Sequence, residues 1–317
     1  MFYLVTGGAG FIGSNLAEAL LSDGHKVRVL DNFLTGKREN LAGFAEKFGD
    51  AFELVDGDLR DLAMLRKVVD GVHYVLHQGA LPSVPRSVAD PALSNEINVT
   101  GTVNMLVAAR DAGVRRVVFA ASSSAYGDTP ELPKRESMTS NPKSPYAAQK
   151  LAGEHYMRIF YEVFGLETVS LRYFNVFGPR QDPASTYAAV IPRFIASVLS
   201  GKPPTIYGDG LQTRDFTFID NVVQANLLAC AAPKEACGKT INIACGERVS
   251  LLGILDIIYG LAARRVAPRF EPQRPGDVRD SLADISLAKD LLGYAPKVAF
   301  SVGLSRTFDY FKTWGRS

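Results

Sequence analysis

A chain of 317 residues is long enough for one large or two intimately packed domains, and 47% hydrophobic against 21% charged residues excludes a disordered polymer. A net charge of +2 from 35 basic and 33 acidic residues gives no bulk field for nucleic acid or an anionic membrane, so neither is expected as a partner. Cys230, Cys237 and Cys245, without a CxxC pair, fit neither a disulfide framework nor a zinc site; no metal is expected, and a reduced, intracellular setting is.

The N-terminal "MFYLVTGGAG" lacks the basic and long apolar segments of a secretory leader and reads as a first strand, so a cytoplasmic protein is expected. No uninterrupted apolar run reaches the roughly 18 residues of a membrane span. Strands are predicted at 2–6, 26–30, 51–58, 72–80, 115–122 and 167–173, with helices near 12–22, 61–70, 91–112 and 145–164 between them. Near-continuous apolar strands alternating with helices imply a doubly wound parallel α/β sheet with both faces covered and right-handed crossovers. After residue 175 the chain becomes richer in Pro and Gly: "FGPRQDPASTY", "SGKPPTIYGDG" and "EPQRPGDVRD" read as loops, with helices near 188–200 and 219–232 and a strand at 240–244. Residues 1–172 with roughly 217–245 are expected to form one domain, and roughly 173–216 with 246–317 a smaller lobe.

"TGGAGFIG" follows the first strand and opens the first helix, with Gly7, Gly10 and Gly13 three apart. A phosphate can approach backbone only where side chains are absent, and a helix N-terminus offers free N–H groups and a positive dipole end. Asp31 ends the second strand 18 residues after Gly13, where a carboxylate can take ribose hydroxyls. Together they specify a dinucleotide site. Asp31 repels a 2′-phosphate and so favours NAD over NADP, a preference that the nearby Lys37 and Arg38 weaken. Asp58 and Leu59 in "GDLRD" can bracket an adenine, and "HQGA" (77–80) ends the fourth strand beside the expected nicotinamide ribose. His77 by itself reads as a packed strand-end residue rather than a catalyst.

"YAAQK" puts Tyr146 and Lys150 one helical turn apart on one face. An ammonium near a phenol favours the phenolate, which brings the tyrosine toward use as a base at neutral pH.

With these motifs in view the chain resembles the extended short-chain dehydrogenase/reductases, with a Rossmann-type fold, and within them the UDP-sugar 4-epimerases, in particular their UDP-N-acetylglucosamine-using subgroup. "TGGAGFIGSNL", "DNFLTGKREN", "SSSAYGD", "SPYAAQK", "LRYFNVFGPRQ", "GDGLQTRDFTFIDN" and "RPGDVRDSLADIS" occur in that family's order over nearly the whole length. The resemblance implies tightly held NAD, used but not consumed. It adds Phe11, Ile12, Asn32, Gln78, Ala80, Asn98 and Tyr173 to the cofactor set, with Tyr146 and Lys150 touching the cofactor as well. It implies that Ser122 hydrogen-bonds the sugar O4, that Tyr146 as phenolate removes the O4 proton while the C4 hydride passes to NAD, and that the 4-keto sugar turns and takes the hydride back on its other face.

Related sugar dehydratases carry an Asp-Glu pair at the two positions that follow, where this chain has Ser123 and Ser124, which lack a usable acid or base. A decarboxylase reading loses the glutamate expected at 124. By the same resemblance Asn175, Arg214, Arg274 and Asp277 hold diphosphate and ribose, Ala189 and Val190 lie along the uracil, Tyr207 joins the substrate pocket, and Ser83 and Arg86 reach the sugar or its 2-acetamido group. Ser281, four residues after Asp277, stands where a large aromatic closes the pocket in glucose-only members, and leaves room for an N-acetyl group. A UDP-hexose 4-epimerase acting on UDP-GlcNAc and UDP-GalNAc is the expectation. The alternatives are an epimerase of UDP-glucuronate or UDP-N-acetylglucosaminuronate, or a noncatalytic NAD sensor on the same fold. A homodimer through the helices near 91–112 and 145–164 is implied by resemblance alone.

Overall fold

The structure, a computed structural model, describes residues 1–183, 189–273 and 279–314. Its first strands read as unbroken apolar runs because alternate residues serve two different cores. In β1 (Phe2–Thr6) Val5 packs into one buried cluster and Leu4 into the other; in β2 (Lys26–Asp31) Val27 and Val29 face the first and Leu30 the second. With β3 (Phe52–Asp56), β4 (Tyr74–His77), β5 (Arg116–Ser122), β6 (Glu167–Tyr173) and β7 (Lys239–Ile243) they form a seven-stranded sheet in the order β7-β6-β5-β4-β1-β2-β3. Every pairing in it is parallel.

Helices α1 (Phe11–Ser22), α2 (Leu62–Val68), α3 (Gly101–Asp111), α4 (Pro145–Phe164), α5 (Val190–Leu199) and α6 (Ile219–Ala231) supply the covers. α1 and α6 pack together over one face, while α2 meets α3 and α3 meets α4 over the other. The order reverses between β1 and β4, and in such a Rossmann-type fold the crevice beyond the carboxyl ends of those strands is where a ligand sits. Later, α7 (Leu251–Ala262), α8 (Ser286–Leu292) and α9 (Phe300–Trp314) follow, and α5, α7 and α9 pack on one another.

Several expectations need correction. The helix expected over 91–112 is a short helix Pro91–Asn95, a π-helical turn Glu96–Thr100 and then α3; the extra residue of that turn carries Asn98 inward, and π-turns of this kind concentrate at functional sites. A helix not expected from the sequence, Val84–Ala89, begins at the N-cap Ser83, which accepts from Arg86 N at 3.2 Å. Its proline stands in the first turn, where it starts a helix rather than breaking one. Thr205–Tyr207, read as loop, pairs in parallel with Arg269–Glu271, a partner too distant in the chain to leave a local signature. The three C-terminal helices had no predicted counterpart.

Candidate active site

After Thr6 the backbone turns through Gly7 at φ +64°, a left-handed conformation that only glycine adopts without strain, and a Cβ on Gly13 would lie 2.3 Å from the Gly7 carbonyl oxygen. The N-terminus of α1 is therefore approached by bare backbone. Gly7, Gly10, Phe11, Ile12 and Gly13 line a cavity of about 640 Å³, as do Asp31, Asn32, Asp58, Leu59, Gln78, Ala80 and Tyr173. The buried Asp31 accepts from Ala9 N at 2.9 Å on one carboxylate oxygen and from Phe33 N at 2.8 Å on the other. Burial pushes its pKa up and these two bonds pull it back; each oxygen keeps a lone pair for one of two adjacent hydroxyls.

Asn32 donates to Asp58 at 2.8 Å, and the Arg60 guanidinium holds the Asp58 carboxyl down at about 2. Lys37 is ion-paired with Asp182 at 2.8 Å on the cavity wall, and Arg38 with Asp56 at 2.7 Å, so each of the two cations that weakened the preference for NAD faces a carboxylate. A side-chain-free loop at a helix N-terminus and a buried carboxylate fit a dinucleotide with an unphosphorylated ribose. Asn98 stands behind this cavity rather than on its wall: its Oδ1 accepts from Leu81 N at 2.7 Å and its Nδ2 donates to Gln149 Oε1 at 2.8 Å.

The wall opposite Asp31 is built by β5 and α4. Ser144 caps α4 by accepting from Ala147 N at 3.2 Å, Pro145 begins its first turn, and Tyr146 and Lys150 follow on one face, both lining the cavity. Lys150 Nζ donates to the Ala120 carbonyl at 2.8 Å and lies 4.8 Å from the centre of the Phe119 ring. Burial, against the opposing pull of Glu154, lowers its pKa to about 8. Burial pushes the Tyr146 phenol up to about 12, against a lowering pull from the Ser122 hydroxyl. The expected lowering by Lys150 is thus not what this geometry shows: loss of hydration dominates, and only the Ser122 hydroxyl acts the other way. Ser122 Oγ also lies 2.8 Å from Ser124 Oγ and accepts from Ser124 N at 3.2 Å, while half-buried Ser123 begins the 3₁₀ turn Ser123–Tyr126. The Ser124 hydroxyl is therefore engaged with Ser122. Ser83 and Arg86 line the same cavity.

A second cavity, of about 230 Å³, adjoins the first through Ala189, which lines both. Asn175, Val190, Tyr207 and Arg214 are on its wall. Asn175, at φ +33°, donates to the Asp215 carbonyl at 3.0 Å and to Ser281 Oγ at 3.2 Å, and Ser281 Oγ accepts from Asp215 N at 3.3 Å. Ser281 therefore stands behind Asn175 and fixes its amide. The buried Asp215 carboxylate accepts from Cys245 N, Gly246 N and Ala283 N at 3.0, 3.1 and 3.1 Å. Burial pushes it up to about 6 in spite of those bonds, with Glu247 adding to the rise. Arg214 donates to the carbonyls of Thr213 and Arg279. Arg274 and Asp277 lie outside the described residues.

Residues 3–244 match the NAD-dependent epimerase/dehydratase family. The chain belongs to that family. It is 40% identical to the UDP-glucose 4-epimerase of Mycolicibacterium smegmatis, over 98% of either chain. Among solved structures it is similar to the UDP-N-acetylglucosamine 4-epimerase of Methanobrevibacter ruminantium in complex with UDP-N-acetylmuramic acid, with TM-score 0.93, 40% identity and 98% of both chains covered. It is similar also to the UDP-glucuronic acid 4-epimerase of Bacillus cereus in complex with UDP-glucuronic acid and NAD, with TM-score 0.91, 34% identity, and 99% and 100% covered.

NAD is the cofactor of this epimerase-family chain, and its two cavities contain residues that motif reading passed over. Thr35, Asn40 and Asp182 line the larger one, and Gln212, Phe216 and Arg193 the smaller. Asp215 carried one signal, its place directly after Arg214 in "TRDF"; nothing local marked it as the hub of three distant backbone N–H groups. No helix among the described residues is long and apolar enough to cross a membrane.

Proposed function

We propose that this protein is an NAD-dependent UDP-sugar 4-epimerase that interconverts UDP-GlcNAc and UDP-GalNAc, with UDP-glucose and UDP-galactose as further substrates. The observation that carries the reading is the run of hydroxyls rather than carboxylates at 122–124 beside Tyr146. It favours oxidation and return over elimination of water. The similarity to a UDP-N-acetylglucosamine 4-epimerase supports it further.

In this reading Tyr146 takes the O4 proton, Ser122 holds the phenol and the sugar hydroxyl in line, and Lys150, fixed on Ala120 O, keeps a cation in the wall. NAD, when bound, supplies a reversible hydride acceptor and a positive charge that favours the phenolate. Burial holds the phenol neutral, and a positive charge brought beside it in the cavity would lower its pKa toward use as a base. Asn175 and Arg214 orient the diphosphate, leaving the keto sugar free to turn.

A uronate epimerase is the second reading, favoured by the Arg86 cation on the larger cavity's wall, which suits a C6 carboxylate, and by the glucuronic acid 4-epimerase neighbour. A noncatalytic sensor would not need Tyr146 and Lys150 on that wall. Incubating the protein with UDP-GlcNAc, UDP-glucose and UDP-glucuronate in parallel and following the anomeric proton signals decides: conversion of the acetylated sugar at a rate equal to or above the others is expected. Rapid uronate conversion without turnover of UDP-GlcNAc overturns the substrate assignment. We read the exposed strip Tyr156, Ile159, Val163 and Phe164 on α4 as the seat of a second copy; light scattering at micromolar concentration is expected to give a dimer. The free thiols suit a reduced, cytoplasmic setting.

A further inference from the structure

We propose that His77 is a positioning residue for the cofactor, held as its Nε2–H tautomer in a directional chain of hydrogen bonds that clamps the two glycine-bearing loops of the NAD cavity together. The inference uses the cofactor and not the identity of the sugar.

His77 ends β4, in register with Thr6 of β1 on one side and Phe119 of β5 on the other, and is 1% exposed. Both ring nitrogens meet hydroxyls: Nδ1 lies 2.8 Å from Thr6 Oγ1 and Nε2 lies 3.1 Å from Thr102 Oγ1. The protons can be assigned by elimination. Thr102 Oγ1 donates to the Asn98 carbonyl at 2.7 Å, and a carbonyl only accepts, so the one Thr102 proton is committed there. The Thr102 oxygen must then accept from Nε2–H. Burial in an apolar site keeps the ring neutral, and Lys150 nearby adds to that, so Nδ1 is bare. Thr6 gives its proton to Nδ1, and its remaining lone pair accepts from Gly79 N at 3.1 Å. The order is Gly79 N–H to Thr6, Thr6 O–H to His77, His77 Nε2–H to Thr102, and Thr102 O–H to Asn98.

Each end of this chain grips a loop of the cavity. Gly7 directly follows Thr6, and a Cβ on it would lie 2.7 Å from Gly79 Cα, so the two loops touch with no room between them. Gly7 and Gly79 both line the cavity. At the other end Asn98 holds Leu81 N at 2.7 Å and reaches Gln149, the neighbour of Lys150, at 2.8 Å. The imidazole thus joins the pyrophosphate loop to the loop after β4 without touching a ligand itself.

The test uses the full chain with NADH and UDP as separate probes. Thr102→Val, equal in size, removes the acceptor of Nε2–H; Thr102→Ser restores it. Thr102→Val is expected to bind NADH about tenfold more weakly, with the UDP dissociation constant changed less than twofold and Thr102→Ser close to the parent protein. A purely structural loss would weaken both ligands together. In ¹⁵N-histidine-labelled parent protein the His77 resonances are expected to show a protonated Nε2 and a bare Nδ1 from pH 8 down to about 5.5. Unchanged NADH binding in Thr102→Val, parallel loss of NADH and UDP, or an Nδ1–H or doubly protonated ring in the parent protein overturns the proposal. The parent-protein spectrum decides even where the valine variant does not fold.

Discussion

The two cavities are framed by different means. The cofactor cavity is assembled from the carboxyl ends of neighbouring parallel strands, so the register that pairs Thr6 with His77 also sets Gly7 against Gly79. At the smaller cavity, just past the ends of β6 and β7, segments from distant parts of the chain converge on a buried carboxylate. Asn175, Asp215 and Ser281 are separated by 40, 66 and 106 positions in the chain and meet through their own hydrogen bonds and through short pairings of their neighbours, Val176 with Thr217 and Thr213 with Asp280. Where a sheet supplies the frame, a side chain can be changed and the frame survives; where a buried carboxylate is the frame, one substitution dismantles the site.

The largest expected effect lies on the wall of the cofactor cavity. Tyr146→Phe is expected to lower the epimerisation rate by about 10³-fold while the NADH and UDP affinities and the melting temperature stay put. Activity within tenfold of the parent protein would remove Tyr146 from the mechanism. Next comes Asp215→Ala, which leaves three buried N–H groups without an acceptor: a loss of about 3 kcal/mol or more and at least tenfold weaker UDP binding by calorimetry are expected, with NADH binding retained. An equal loss of NADH binding would show that the cavities do not have separate frames.

The two frames also respond to acid with opposite sign. Asp215 is raised from 3.8 to about 6 by burial, so folding takes up a proton between those values; its contribution is complete below about 4 and lost as pH rises through about 6. His77 is lowered from 6.5 to about 3, so its contribution is complete above about 6.5 and lost as pH falls toward 3. Each gives at most about 1.4 kcal/mol per pH unit. Melting temperatures measured from pH 6.5 down to 4 are expected to fall more steeply in Asp215→Asn than in the parent protein and less steeply in His77→Gln. Parallel profiles would show that neither group is titrated as its burial implies. At the small end, Glu162→Ala breaks an exposed pair with Arg158 at 3.2 Å and is expected to cost less than about 0.5 kcal/mol by denaturant titration, with both affinities unchanged.

The difference between the frames is also a difference in legibility. The six strands of the first half, the glycine turn, Asp31 and the Tyr146–Lys150 face could be read along the chain, because each rests on a short-range rule: apolar continuity, a helix N-terminus, a one-turn spacing. Beyond residue 175 the reading thinned. Thr205–Tyr207 became a strand only through Arg269–Glu271, and Ser281, taken for the absence of a bulky group, proved to be a hydrogen-bond acceptor that holds Asn175.

By itself, then, the sequence determined the parallel sheet, the dinucleotide loop and the residue types at the reacting wall, since these follow from periodicity and from what small or ionisable side chains permit nearby. The tertiary structure decided the protonation of Tyr146, Lys150, His77 and Asp215 and the joining of the second cavity. Those depend on how much water burial removes and on partners far away in the chain, and neither quantity is written in any local stretch of residues.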